Sequence, residues 1–152
     1  MKKFRWRLQR LLDVRQKQED ALRAELIGLT EQTAALRGRI LMEKAMLRSR
    51  LADLRQSPAD ERLGEQQTFM QYVTVVDARI AALQSDLNVL ERQRSEKIEA
   101  IMGIRKFRKA LERLREQARD AHAQEQHRDE QNRQDENANA AFARRILEPL
   151  HL

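Results

Sequence analysis

Hydrophobic residues recur along most of the chain at alternating spacings of four and three positions. One such stripe runs from Leu8 to Leu47 and a second from Phe69 to Leu114. This pattern is typical of the a and d positions of long helices that pack together in a coiled coil. The stripes comprise Leu8, Leu12, Leu22, Leu26, Leu29, Thr33, Leu36, Ile40 and Leu47, and then Phe69, Val73, Val76, Ile80, Leu83, Leu87, Leu90, Ile101, Ile104, Phe107, Leu111 and Leu114.

A short stretch between the two stripes carries the signals of one helix ending and another beginning. Ser57 suits an N-cap, Pro58 suits the first helical position, and Asp60 stands at a capping-box position. Proline also disfavours the helical conformation in the residue before it. The first helix is therefore expected to end near Gln56, and the second to begin at Pro58.

These signals together predict an all-α fold, a long two-helix antiparallel coiled-coil hairpin whose second helix extends beyond the first. A kink in a single rod is the alternative. The whole chain, residues 1–152, is expected to form one elongated domain. Its predicted segments are helix 1 over about residues 5–56, a hinge at 57–58, and helix 2 over about residues 58–140, fraying after about residue 116 where the stripe fades.

Charged residues interrupt the first stripe at Arg15, Glu19 and Glu43. Charges at such positions are costly unless they are paired, so each of the three should have a partner. If the chain reverses at the hinge, residues whose numbers add up to about 114 face each other across the coiled coil. That register predicts that Glu19 lies near Arg94 and that Arg15 lies near Glu99.

The net charge of +6 is distributed unevenly along the chain. Residues 1–17 contain seven Lys and Arg residues against one acidic residue, and residues 105–115 contain six against one. We call these the first and second basic blocks. Residues 116–136 have the opposite balance, with seven acidic residues against three arginines. An antiparallel hairpin brings the two basic blocks together, and the repulsion between them suggests an acidic partner.

The sequence offers little that could carry catalysis, and we expect no enzyme activity, cofactor or metal site. It has no cysteine, which excludes disulfides and thiolate sites, and four glycines allow no phosphate-binding loop. His122, His127 and His151 lack the spacing of three or four residues that a shared helical metal site requires. No run approaches the roughly 18 apolar residues of a membrane span, and no signal peptide is recognisable. We therefore expect a cytoplasmic location.

Basic coiled coils have other uses. Phe4 and Trp6 among arginines would suit an interfacial membrane helix, although packing of this stretch against Phe107 is favoured by the register. The basic blocks would also suit nucleic acid, but no groove-reading motif accompanies them, and 24 acidic residues would repel phosphate. A general coiled-coil scaffold or adaptor is the main alternative to the function inferred below, and nucleic-acid binding is disfavoured.

Four stretches of the chain, taken in order, resemble the flagellar FliJ family. The opening from Phe4 to Arg15 has the aromatic and leucine positions that precede the long heptad helix in that family. The other three are Phe69-Met70-Gln71-Tyr72 followed by Ile80, Leu111-Glu112-Arg113-Leu114-Arg115-Glu116, and Gln134-Asp135-Glu136-Asn137-Ala138 with Phe142. The resemblance covers nearly the whole chain. The chain departs from the family in the extended polar run of residues 116–141.

The resemblance implies a soluble component of the flagellar type III export apparatus, similar in shape to the coiled coil of the F-type ATPase rotor shaft. It implies three partners: the hexameric flagellar export ATPase, the cytoplasmic domain of the export gate, and export chaperones. It also implies a role in flagellum biogenesis, protein transport, motility and chemotaxis. The chain is then expected to be monomeric and cytoplasmic, and to be peripheral at the inner face of the cell membrane through its partners.

Two sets of residues are predicted to make these contacts. The cations of the two basic blocks are expected to enter the central opening of the ATPase ring; they are Arg5, Arg7, Arg10, Arg105, Arg108 and Lys109. The face that contacts the export gate is implied by the resemblance alone, and it comprises Tyr72, Val76, Arg79 and Leu83. Tyr72 and Arg79 each stand one position before a residue of the second stripe, Val73 and Ile80, so they are expected to flank the core.

Overall fold

The computed structural model describes residues 2–148, and nearly all of them belong to two long helices. Helix α1 spans Gln9–Gln56 and helix α2 spans Arg62–Leu147. The described part of the chain contains no strand. The two helices pack against each other and the second is the longer, which confirms the predicted all-α class and its two-helix architecture.

The turn between the helices is longer than predicted. Helix α1 ends at Gln56 as expected, but α2 begins at Arg62 and not at Pro58. The Pro58 carbonyl accepts a hydrogen bond from the Glu61 backbone N–H at 3.2 Å, which closes a separate turn before α2. The Ser57 hydroxyl contacts the side chain of Glu65. The predicted N-cap is therefore wrong, because Ser57 holds the turn against a residue inside α2 instead of capping a helix that starts beside it.

The other two helix ends also differ from the prediction. Helix α1 begins at Gln9, and residues 2–6 before it are not helical, whereas the sequence predicted a helix from about residue 5. The Gln9 backbone N–H donates to the Trp6 carbonyl at 3.2 Å, so the chain turns into α1 at this point. Helix α2 continues without a break to Leu147, beyond the predicted end near residue 140.

Tertiary contacts divide the chain into two units, to each of which both helices contribute. Unit 1 contains the residues up to Lys17 and those from Arg105 onward, and unit 2 is Gln18–Ile104. In unit 2 the helices are antiparallel, because Lys97 pairs with Glu25 while Glu91, earlier in α2, pairs with Arg37, later in α1.

The centre of unit 2 is an apolar cluster of residues from both stripes. Ile40, Leu83 and Leu87 are buried and in contact, and Leu36 and Ile80 pack against them half-buried. Close packing of this kind gives large stabilisation per residue, because each side chain leaves water and meets complementary neighbours. Unit 2 therefore rests on a conventional coiled-coil core.

The register of the helices in unit 2 is displaced from the predicted one. Arg94 donates its Nε–H to the Thr30 hydroxyl at 3.2 Å, so its partner lies about three helical turns further along α1 than Glu19. Glu19 is buried and accepts a bond from Arg23 one turn away, at 2.8 Å. The predicted pairing of Glu19 with Arg94 is thus wrong. The late start of α2 accounts for part of the shift.

The seam of unit 1 is also different in phase from the apolar stripe. Leu12 and Leu111 are buried as predicted, but Phe107 and Leu114 are exposed. Arg108 and Arg115 occupy the half-buried positions in their place. Ile101 and Ile104, just before unit 1, are three residues apart. In a four-and-three alternation the next seam residue is four positions later, at 108 and not at 107. The phase of the whole helix therefore overrides the local hydrophobic residues.

Candidate partner-binding surfaces

Both basic blocks lie in unit 1, as the antiparallel arrangement predicts. Five of the six cations predicted for the ATPase ring expose their side chains to solvent: Arg5, Arg7, Arg10, Arg105 and Lys109. The sixth, Arg108, keeps only 17% of its side chain exposed and binds the Glu112 carboxylate at 2.6 Å. The first five are accessible to a partner, whereas Arg108 is committed mainly to the seam.

The half-buried cations of unit 1 form what we call the arginine seam, defined as Arg15, Arg108 and Arg115. Arg15 stacks its guanidinium over the ring of Phe107, with Cζ 4.8 Å from the ring centroid. This is within the range of a cation–π interaction. The Nε of Arg115 is buried, and it has no hydrogen-bond partner in the described part of the chain. Unit 1 thus keeps cations at positions that would normally be leucine.

Residues 2–8 precede α1 and contact α2, and we call them the N-terminal strap; residues 7 and 8 belong to the turn that leads into α1. Phe4 meets the ring of His122 edge to face, with the ring centroids 5.5 Å apart, and the Arg119 guanidinium lies 5.9 Å from the Phe4 centroid. The side-chain amide of Gln126 donates to the Lys2 carbonyl at 3.0 Å. The polar run of α2 after residue 116, where the sequence predicted fraying, therefore has a partner over its first turns.

Burial alternates along the strap. Phe4, Trp6 and Leu8 are half-buried, whereas Lys3, Arg5 and Arg7 are exposed. Burial along these residues therefore has a period of two, with the apolar side chains partly covered and the cations exposed. The sequence Phe-Arg-Trp-Arg-Leu has this period of two, a signal that sequence reasoning missed because it was assigned to the helix.

The face implied for the export gate lies in unit 2, and its four residues differ in accessibility. Val76 is fully buried and Leu83 belongs to the apolar cluster. Tyr72 is half-buried beneath Arg50, whose Cζ lies 3.9 Å from the ring centroid. Arg79 is 57% exposed and reaches Glu43 at 3.9 Å. Tyr72 and Arg79 are therefore the members of this set that flank the core, as predicted.

A cavity of about 440 Å³ opens beside Tyr72 at the turn between the helices. Phe69 and Leu54 supply apolar walls, and Asp53 and Glu65 supply carboxylates. A concave surface with an aromatic side and a few polar groups is a common form for a docking site. This cavity enlarges the accessible part of the face around Tyr72.

The flagellar FliJ protein family model matches residues 3–146. The chain belongs to the FliJ family. The match includes the strap and the first basic block from residue 3 onward, the second basic block and the face around Tyr72, so the resemblance seen in the sequence is confirmed over nearly the whole chain. No curated protein and no solved structure matched the chain.

Membership of the FliJ family makes the chain a coiled-coil protein related to flagellar export. FliJ proteins are structural or chaperone-like export components and are not known as enzymes. Within residues 2–148, neither helix has a stretch of the length and hydropathy that crossing a bilayer requires. Across the same described residues, no three histidine or carboxylate side chains are grouped closely enough to hold a metal ion.

Proposed function

We propose that this FliJ-family chain is a stalk of the flagellar type III export apparatus that inserts in the export ATPase ring and stimulates it. It also contacts the cytoplasmic domain of the export gate and assists the delivery of chaperones and substrates. It works as a monomer in the cytoplasm, held at the inner face of the cell membrane through these partners. The observation that carries the proposal is the concentration of both basic blocks in unit 1.

The ring contact is supported by the excess of positive charge in these blocks. Together they hold thirteen Lys and Arg residues against two acidic residues. Charge of one sign raises the encounter rate with an oppositely charged surface, and the effect weakens as salt rises. The exposed members Arg5, Arg7 and Arg10 make the first block available without any change in the helices.

The gate contact is supported by Tyr72, by the cavity beside Tyr72, and by the exposed Arg79. Tyr and Arg are the residue types that most often carry interface energy. Both are attached to a rigid helix, and the buried Val76 and Leu83 fix that helix in place. Val76 and Leu83 therefore contribute to the gate contact by positioning α2, and the accessible contact is made by Tyr72 and Arg79.

The ring contact is tested with a triple charge reversal, Arg5→Glu, Arg7→Glu and Arg10→Glu. A matched control reverses three exposed cations of unit 2, Arg39, Lys44 and Arg48. Each substitution of Lys or Arg by Glu lowers the net charge by two. Three such substitutions therefore take either variant from a net charge of +6 to zero. We expect the first variant to lose stimulation of the purified export ATPase and the control to retain it, with equal helix content by circular dichroism.

Equal stimulation by the two variants would reject the ring contact. A second assay measures binding to duplex DNA over a salt series. Steep salt-dependent binding, with no stimulation of the ATPase by the unmodified chain, would favour the nucleic-acid alternative. Stimulation by the unmodified chain that falls as salt rises would support the proposal.

The gate contact is tested with the double variant Tyr72→Ala and Arg79→Ala. We expect binding to the gate's cytoplasmic domain to weaken by more than about tenfold, as for residues at the centre of an interface. Thermal stability should fall by less than gate binding does: the Arg79 pair is long, but Tyr72 is half-buried and stacks under Arg50, so its loss carries some cost. The control is Arg50→Ala, which removes the stack on Tyr72 but leaves both contact residues. Unchanged gate binding by the double variant would show that these side chains only cover the seam.

A further inference from the structure

The N-terminal strap carries Arg5 and Arg7, but it has no helix to hold these two side chains in place. Its order depends on contacts with α2. We propose that Phe4 is a positioning residue: by docking on α2 it fixes the strap so that Arg5 and Arg7 point together away from α2. This inference rests on the proposed ring contact and adds the means by which the first basic block is presented.

The docking surface on α2 is one face of the helix. Arg119, His122 and Gln126 are three and four residues apart, a spacing that places side chains side by side. Phe4 meets the first two and the Lys2 carbonyl meets the third, so the strap runs antiparallel to α2. The three contacts differ in kind: His122 meets the Phe4 ring edge to face, Arg119 lies near the same ring, and Gln126 donates a hydrogen bond to the backbone of the strap.

The alternation of burial makes the docking of Phe4 decisive for the cations. Phe4 and Trp6 are half-buried, and Arg5 and Arg7, which each follow one of them, are exposed. A strap released from α2 would sample many backbone conformations, and its cations would have to be ordered again when a partner binds. Holding them in one arrangement beforehand reduces that cost, which is the usual benefit of preorganisation.

Docking can be followed without a label because Trp6 is the only tryptophan of the chain. In the full-length protein we expect Phe4→Ala to shift the Trp6 emission to the red and to increase its quenching by acrylamide. The matched control is Phe142→Ala, since Phe142 is 65% exposed and lies outside the strap contacts. The control should keep the emission of the unmodified chain. Phe4→Tyr keeps the ring and should restore it.

Stimulation of the export ATPase distinguishes a positioning role of Phe4 from misfolding of the variant. With the purified export ATPase, we expect Phe4→Ala to raise the concentration for half-maximal stimulation by roughly fivefold, because preorganisation is lost. Maximal stimulation should stay the same, since Arg5 and Arg7 are still present. Phe4→Tyr should return the half-maximal concentration to that of the unmodified chain, and Gln126→Ala should shift it in the same direction as Phe4→Ala.

Two results would overturn the inference. Unchanged Trp6 emission and quenching in Phe4→Ala would show that Phe4 does not hold the strap. An exposed Trp6 with an unchanged half-maximal concentration would show that docking does not position the cations. Failure of the ring contact itself is distinguishable, because the triple charge reversal would then leave stimulation unchanged while the Trp6 signal still reports docking.

Discussion

The two units of the molecule use the same helical architecture with different side chains in the seam. Unit 2 buries Ile40, Leu83 and Leu87 in one cluster. Unit 1 buries Leu12 and Leu111 but also keeps the arginine seam at positions of the same kind. The comparison teaches that an apolar cluster holds the centre of unit 2, with the buried Glu19 and the half-buried Arg94 and Lys97 outside that cluster, whereas unit 1 places three half-buried arginines beside its buried leucines.

Polar residues interrupt the seams of both units. In unit 2 the buried Thr33 hydroxyl donates to the Leu29 carbonyl at 2.8 Å, so it is satisfied within its own helix. Buried side-chain atoms without a hydrogen-bond partner in the described part of the chain occur in both units: the Nε of Arg115 in unit 1 and the Oε2 of Glu43 in unit 2. A buried donor without a partner costs free energy.

The largest expected effect is on the apolar cluster of unit 2. Leu87→Ala removes a side chain that is 5% exposed and leaves a cavity against Ile40. We expect the free energy of unfolding to fall by about 3 kcal/mol. The measurement is chemical denaturation of the full chain followed by circular dichroism. Val89→Ala, at a position that is 50% exposed on the same helix, should change stability by less than about 0.5 kcal/mol.

A similar loss for both variants would contradict the assignment of the core. The comparison of the two units would then fail, because Leu87 could not be said to contribute more than a surface residue.

The next effect has the opposite sign and concerns the arginine seam. Arg115→Leu replaces a half-buried cation with the residue that a coiled-coil seam favours. We expect the protein to gain about 1 kcal/mol of stability, since a buried unpartnered donor is removed and apolar area is added. Thermal and chemical denaturation would measure it. A loss of stability would show that Arg115 is a structural residue and that unit 1 sacrifices nothing at this position.

Part of this organisation was visible in the sequence because it depends on local periodicity. The apolar stripes predicted both helices, and Pro58 predicted the end of α1 at Gln56. The buried or half-buried seam residues of unit 2, such as Ile40 and Leu87, were also in the predicted stripe. These features follow from which residues share a helix face, and that is fixed by the sequence spacing alone.

The register and the strap could not be derived in the same way. The register depends on how many residues the turn at Ser57 consumes, which is decided by its contacts with Glu65 and by the separate turn at Pro58. The arginine seam was not predicted either, because Phe107 is apolar and was assigned to the stripe. The phase of α2 places Arg108 and not Phe107 at the half-buried position. The strap was missed because Phe4 and Trp6 fit the end of a helical pattern, and their alternation was not recognised.

The sites were predictable to different degrees. The charge imbalance identified the basic blocks, and the structure places their exposed members in unit 1. Sequence alone did not show that Arg108 is mainly buried and bound to Glu112, because that depends on the phase of α2 in unit 1. The roles of Tyr72 and Arg79 came from the family resemblance, and they stay a prediction.

The smallest expected effect compares two ion pairs of equal length, one in each unit. Arg37 binds Glu91 and Arg108 binds Glu112, each with a nitrogen-to-oxygen distance of 2.6 Å. The Arg37 side chain is 57% exposed, whereas that of Arg108 is 17% exposed. Water and salt screen the first pair more strongly. Glu91→Gln should therefore cost less than about 0.5 kcal/mol.

Glu112→Gln should cost more, about 1 kcal/mol, because it weakens a charge-assisted bond to a cation that is largely removed from water. Both variants lose one negative charge, so the change in net charge is the same, but the pairs differ in two respects: the arginine is more buried in unit 1, and the unit 1 pair lies within α2 whereas the unit 2 pair joins the two helices. Denaturation at low salt and at about 1 M salt, where the Debye length is near 3 Å, should remove most of the Glu91 effect and leave most of the Glu112 effect. Equal costs with equal salt dependence would mean that the cations of the unit 1 seam are solvated like those of unit 2, and the contrast between the two units would lose its electrostatic basis.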